Sequence, residues 1–139
     1  MINRVLDLQS LTIRQAMKPM DQAVTTEAQA PVVEVLKLCK DRQLTRLPVW
    51  ETRDDRKRIV GLISLKSVLY QPDLDPRKRA GEYMKPALFL EETVRLEVAL
   101  RRMQRSGQRL AIVLGRDGRE TGILSLQDVL NIIFGEVSL

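Results

Sequence analysis

Histidine is absent from the 139 residues, cysteine occurs once, at Cys39, and only 4% of the side chains are aromatic. Without histidine, the Ser-His-Asp and Cys-His nucleophile systems have no base. Zinc and copper sites lose their commonest ligand as well. Acid–base chemistry would fall to carboxylates and lysines, and no pair stands out, so the sequence reads as a non-enzyme. One cysteine excludes an internal disulfide and suits a reducing compartment. No apolar run approaches the roughly 20 residues that span a bilayer, and no signal-peptide pattern opens the chain. The polypeptide itself reads as soluble.

What is present is ordinary in bulk and uneven in detail. A hydrophobic fraction of 44% with 29% charged residues fits one globular domain, or two half-size units sharing a core. Basic side chains outnumber acidic ones 23 to 18, a net charge of +5. Residues 12–70 hold 11 basic and 7 acidic groups, whereas residues 80–135 hold 8 and 7. A basic balance suits anionic partners. The sparse aromatics, and the lack of a basic helix interleaved with them, argue against base stacking, so no nucleic-acid partner is expected. The run Arg53-Asp54-Asp55-Arg56-Lys57-Arg58, within a charged stretch over 51–57, reads as a solvated loop.

The strongest signal is a repeat. Gly61-Leu62-Ile63-Ser64-Leu65-Lys66-Ser67-Val68-Leu69 returns as Gly122-Ile123-Leu124-Ser125-Leu126-Gln127-Asp128-Val129-Leu130, with five of nine positions identical. Met17-Lys18-Pro19 returns as Met84-Lys85-Pro86, and Leu47-Pro48-Val49 is matched to Leu110-Ala111-Ile112. The offsets are 67, 63 and 61 residues, as expected for one duplicated unit with loop deletions.

Local patterns fill in the unit. Residues 2–9 suggest one or two helical turns, and Thr12 with Gln15 has capping-box spacing for a helix ended by Pro19. Pro31 can occupy a first helical position, and Val32, Val35, Leu36 and Cys39 then predict an amphipathic helix to about Arg42, with Cys39 as a buried thiol. Strands are expected at 47–50 and 59–63, a helix at 65–70, and a proline-containing linker at 71–79. The second copy predicts a short helix at 81–84, an extended Phe89-Leu90, and a helix capped by Thr93 with a core face of Leu96, Ala99, Leu100 and Met103. Strands at 110–114 and 121–124 flank an Asp117-Gly118 turn, and a helix from Leu126 to Phe134 ends at Gly135. Each copy is β-α-β-β-α, with too little apolar surface to stand alone.

That order, with Gly-apolar-apolar-Ser opening each last helix, resembles the tandem cystathionine-β-synthase (CBS) domain pair over residues 12–135. A finer resemblance, carried by Met1 to Leu8, Met17 to Pro19, Leu126 to Leu130 and Ile133 to Glu136, is to the CBS pair of the CorC/hemolysin-C-like (CNNM-like) membrane proteins. It implies an α/β (α+β) fold of two repeats packed through their sheets. It divides the chain into a lead-in helix (1–11) from an upstream membrane domain, a first CBS domain (12–70), a linker (71–79), a second CBS domain (80–135) and a tail (136–139). It further implies a regulatory module on the cytoplasmic side of a membrane protein exporting magnesium or cobalt. The implied ligand is an adenine nucleotide, AMP or ATP, with or without Mg2+. The implied partner is a second copy, held through the helices at 65–70 and 126–134.

In pairs of this kind, the residue matching Asp128 holds the ribose and the one matching Ser125 lies near the phosphates. Arg109, Ala111 and Leu88 complete the expected nucleotide set, and Arg46 of Thr45-Arg46-Leu47-Pro48-Val49 could reach a phosphate. The same residues have plainer readings. Ser125 and Asp128 have capping-box spacing, and Arg46 can be a solvated charge beside a strand. The sequence departs from the family in having Met20 after Pro19, Arg109 in place of a common histidine, and Gly115-Arg116-Asp117-Gly118 as its turn. Ser67 stands where the second copy has Asp128, so one competent site is expected rather than two. The competing expectation is a structural dimerisation module with a degenerate cleft.

Overall fold

The computed structural model describes residues 10–134. The lead-in turns expected at 2–9, the Gly135 cap and the tail at 136–139 lie outside the described residues. In chain order the elements are α1 (Ile13–Ala16), β1 (Lys18–Pro19), a 3-10 turn (Met20–Gln22), β2 (Thr26–Glu27), α2 (Val32–Arg42), β3 (Arg46–Arg53), β4 (Arg56–Ser64), α3 (Leu65–Leu69), a second 3-10 turn (Ala80–Glu82), β5 (Leu88–Glu91), α4 (Leu96–Ser106), β6 (Leu110–Leu114), β7 (Glu120–Ser125) and α5 (Leu126–Phe134). They form two compact units, each with its own sheet and core. Val24–Ala87 make one, and residues 10–23 join residues 88–134 to make the other.

The Val24–Ala87 unit holds a three-stranded sheet, β2-β3-β4, with β2 parallel and β4 antiparallel to β3. Helix α2 buries Val32, Val35 and Cys39 of the predicted stripe, with Leu36 half-buried beside them, against Leu47, Val49, Ile63 and Val68. Burial raises the Cys39 thiol above its ordinary pKa. The other unit holds a four-stranded sheet, β1-β7-β6-β5, with β5 parallel to β6 and the remaining pairs antiparallel. Helix α4 buries Leu96, Ala99 and Met103 against Leu90, Ala111, Val113, Leu124 and Val129.

Thr93 does not cap α4. Arg95 occupies the N-cap and makes no side-chain capping bond. The Leu96 N–H instead donates to the Leu11 carbonyl at 3.0 Å, and in α2 the Val32 N–H donates to the Lys78 carbonyl at 2.7 Å. A passing segment of chain thus satisfies the first N–H of each helix, a donor with no partner inside the helix.

The charged stretch 51–57 is not a loop. Strand β3 runs to Arg53 and β4 starts at Arg56, with rungs Glu51–Arg58, Thr52–Lys57 and Arg53–Arg56. The turn is two residues, Asp54 and Asp55, at φ 50° and 63°. That left-handed pair matches the twist of a two-residue hairpin, and aspartate tolerates it. Lys57 Nζ lies 3.0 Å from Glu27 and 5.0 Å from the centre of the Trp50 ring, tying the outer rungs to β2. Periodicity misses these strands because their outer halves are polar on both faces.

The sequence repeats and the compact units are offset. Lys18 and Pro19 pair with Ile123 and Gly122, and Lys85 bridges Leu62, so each Met-Lys-Pro segment serves the glycine strand of the other sequence copy. A Cβ on Gly122 would stand 2.5 Å from the Lys18 carbonyl oxygen, and one on Gly61 would stand 2.7 Å from that of Lys85. The two repeated glycines are there for close backbone approach.

The strand match Leu47-Pro48-Val49 to Leu110-Ala111-Ile112 is one residue out of register. Leu47 pairs with Ile63 as Ala111 pairs with Leu124, and Ile63 and Leu124 are themselves equivalent, so Leu47 corresponds to Ala111. A one-residue slip would turn every side chain to the opposite face.

Candidate functional site

Because β5 runs parallel to β6 and β7 returns antiparallel, the starts of β5 and β6 and the end of β7 meet at one end of the four-stranded sheet. Leu88 lies opposite Ala111, Ala111 opposite Leu124, and Leu110 opposite Ser125. Helix α5 begins there directly after β7. Five of the six expected site residues, Leu88, Arg109, Ala111, Ser125 and Asp128, are gathered at this end.

Their exposure grades from rim to floor. Arg109 is exposed, Leu88, Ser125 and Asp128 are half-buried, and Ala111 shows no surface at all. Ala111 therefore lies beneath the floor, in the core cluster of this unit. Arg46 belongs to the other unit. It opens β3 opposite Ser64 and its Nη1 donates to Thr45 Oγ1 at 3.2 Å.

The polar chemistry concentrates at the start of α5. Ser125 Oγ accepts from the Asp128 N–H at 3.0 Å, and the Arg109 carbonyl accepts from the Leu126 N–H at 2.9 Å. Two of the first three helix donors are thereby engaged. Capping by Ser125 fixes where the helix starts and holds Asp128 in its first turn, near the positive end of the dipole. Among the described residues no donor or cation engages the Asp128 carboxylate, so its oxygens remain available as acceptors. The Arg109 carbonyl is the contributor that residue-type reasoning misses, since a backbone acceptor leaves no mark on side-chain identity.

The equivalent end of the three-stranded sheet is built the same way with a weaker finish. Ser64 Oγ accepts from the Ser67 N–H at 3.4 Å, and the Leu65 N–H donates to the Thr45 carbonyl at 2.8 Å. Ser67 brings no carboxylate, and α3 spans only five residues. A surface groove of about 700 Å³ in this unit, lined by Glu51, Arg53, Asp54, Arg56, Arg58 and Val60, lies on the β3–β4 hairpin rather than at the strand ends. Its Arg53 is already ion-paired to Glu51.

Two β-α-β-β-α units, each closing on a serine-capped helix, define a tandem CBS pair. The CBS domain family model matches residues 13–72 and again 80–135, and the chain belongs to that family. Within it, the likeness runs to transporter-associated members. The chain is 27% identical to the CBS domain of the bacterial CNNM/CorC family Mg2+ transporter in complex with ATP, at a TM-score of 0.84 over 96% of this chain and 94% of that one. It is 29% identical to a UPF0053 protein of Mycobacterium tuberculosis, over 99% of this chain and 32% of the relative. It is 24% identical to the magnesium and cobalt efflux protein CorC of Vibrio cholerae, over 99% of this chain and 47% of the relative. The chain thus spans between 21% and 47% of the length of such curated relatives. Among the described residues, no helix is long and apolar enough to cross a membrane.

Proposed function

We propose that this CBS pair is a regulatory module that binds an adenine nucleotide at the strand-end site of the four-stranded sheet and thereby biases an attached ion-transporting membrane domain. The observation that carries the reading is the half-buried Asp128 carboxylate, held by the Ser125 cap and without a partner among the described residues. A carboxylate so placed accepts both hydroxyls of a ribose through charge-assisted hydrogen bonds. Leu88 offers apolar surface to a base, and Arg109 stands at the rim where a phosphate would reach it. The solved relative with bound ATP supports the ligand class. Regulation requires that nucleotide bind two arrangements of the module with different affinity, since equal affinity shifts nothing.

The test is isothermal titration of AMP and ATP, each with and without Mg2+, accompanied by melting curves. A ligand bound only by the native state raises the melting temperature, about 2.7 kcal/mol of stabilisation at 100 times Kd. Flat titrations and unmoved melting curves would reject the nucleotide reading.

A second reading, a dimerisation module without ligand control, is favoured by the apolar side chains that α3 and α5 leave exposed. Leu69 and Phe134 are 55% and 57% exposed. Both readings include an isologous dimer through these helices. Sedimentation at micromolar concentration should show two copies per particle. A monomer persisting at high concentration removes the assembly from either reading.

A further inference from the structure

The averaged charge of residues 80–135 conceals a sharp division. Between Arg95 and Arg109 stand five arginines and one acidic residue, Glu97, while the rest of that span holds three basic and six acidic side chains. The equivalent stretch of the first copy, residues 31–45, is mixed, with three basic and two acidic groups. Helix α4 turns Leu96, Ala99 and Met103 into the core. It leaves Arg101, Arg102 and Arg105 exposed on the opposite face, and Arg109 is exposed just beyond its end. Among the described residues none of these four makes an ion pair or a side-chain hydrogen bond. Arg101 and Arg105 are one turn apart, a like-charge spacing that destabilises a helix unless something neutralises it. The negative end of the helix dipole offsets only part of that repulsion.

We propose that the arginine face of α4 docks on an anionic phospholipid surface. Guanidinium groups pair bidentately with phosphate oxygens, and a row of them on one helical face suits a planar array of phosphates. The face carries no aromatic side chain to stack on bases, which disfavours single-stranded nucleic acid. Its exposed side is also not apolar enough for insertion, so attachment is electrostatic and weakens with salt. The choice of a bilayer rests on the transporter-module reading, under which the domain works beside a membrane.

The experiment is vesicle co-sedimentation of the full chain with phosphatidylcholine liposomes, with and without about one-third phosphatidylglycerol, across a salt series. Three variants accompany it: Arg101→Glu/Arg102→Glu/Arg105→Glu, the milder Arg101→Gln/Arg102→Gln/Arg105→Gln, and Lys37→Glu/Lys40→Glu/Arg42→Glu on α2 as an equal charge change elsewhere. Circular dichroism and melting curves confirm that each is folded. The expected result is binding to the anionic vesicles alone, reduced roughly 100-fold by the glutamine variant from about one kcal/mol per arginine, abolished by the glutamate variant, and largely kept by the α2 variant.

Equal loss in the α2 and α4 variants would reduce the effect to net charge and overturn the proposal. So would the absence of vesicle binding at low salt, or tighter binding to a DNA duplex lost in the same α4 variants. Nucleotide titration of the glutamine variant separates this proposal from the one it rests on. Unchanged nucleotide affinity with lost vesicle binding sustains both, whereas vesicle binding without any nucleotide binding sustains only the lipid face.

Discussion

The two units reach the same architecture from diverged sequences, and they differ most where each sheet ends. In the Val24–Ala87 unit the closing helix α3 is five residues long and its third position is Ser67; in the other, α5 is nine residues long and its third position is Asp128. The capping device is common to both, with Ser64 and Ser125 accepting from the third helical N–H and the carbonyl just before the neighbouring strand, that of Thr45 or Arg109, taking the first. A serine cap is therefore a structural requirement of the repeat. The carboxylate is an addition made on one side only, and function is to be sought in that asymmetry.

The sharpest way to break the comparison is at those two third positions. Asp128→Asn should weaken nucleotide binding about 10- to 100-fold, the loss of charge-assisted hydrogen bonds worth roughly 1.5–3 kcal/mol. Ser67→Ala should leave affinity unchanged. Asparagine preserves size and some capping capacity, so the melting temperature of Asp128→Asn should stay close to that of the wild type. Equal affinity in wild type and Asp128→Asn would return Asp128 to the role of a helix-capping residue.

The two repeated glycines probe what the units share. Gly122→Ala and Gly61→Ala each press a methyl group into the backbone of a Met-Lys-Pro segment, at 2.5 and 2.7 Å from a carbonyl oxygen. Each should destabilise by about 1–3 kcal/mol in chemical denaturation, as overpacking does. A neutral result at either position would mean that the segment moves aside freely.

A smaller difference lies in the turn after each long helix. Gln43 takes up φ 55° where the other unit has Gly107 at φ 70°. Gln43→Gly should stabilise the protein by about 0.5–1 kcal/mol, and Gly107→Ala should destabilise it similarly, because a side chain in the left-handed region is strained. Matching denaturation midpoints for both variants and the wild type would contradict this.

The smallest effect is a pH dependence confined to one core. Cys39 occupies the place that Met103 takes in the other unit, and burial raises its thiol pKa. The unfolded chain then loses this proton first, near the ordinary cysteine value of about 8.5. Stability is complete below that pH and declines as pH rises towards the raised folded value. Cys39→Val should flatten part of the alkaline decline in melting temperature. Identical profiles would show that the thiol does not titrate in the accessible range.

Much of this was legible in one dimension because its causes are local or periodic. The stripes Val32, Val35, Leu36, Cys39 and Leu96, Ala99, Leu100, Met103 announce helices whose core faces are those observed, with Leu36 and Leu100 half-buried at their margins. The repeated Gly-apolar-apolar-Ser motif marks both strand-to-helix junctions, and the Ser67–Asp128 difference is visible without coordinates. The charged hairpin was not legible, since its outer rungs are polar on both faces and are held by cross-strand pairing and by Lys57 with Glu27 and Trp50. The one-residue strand register was also hidden. Short apolar words such as Leu47-Pro48-Val49 match at neighbouring offsets, and only the hydrogen-bonded partners decide between them.

The sequence by itself determined the duplicated unit, the order of its elements, both helical core faces and the single carboxylate at a repeated serine cap. These follow from side-chain chemistry at fixed spacing. Tertiary structure alone decided that each Met-Lys-Pro segment is handed to the other copy's glycine strand, and that the Leu11 and Lys78 carbonyls take the first N–H of α4 and α2. Those outcomes depend on backbone groups distant in the chain meeting in space, and a carbonyl oxygen is the same on every residue.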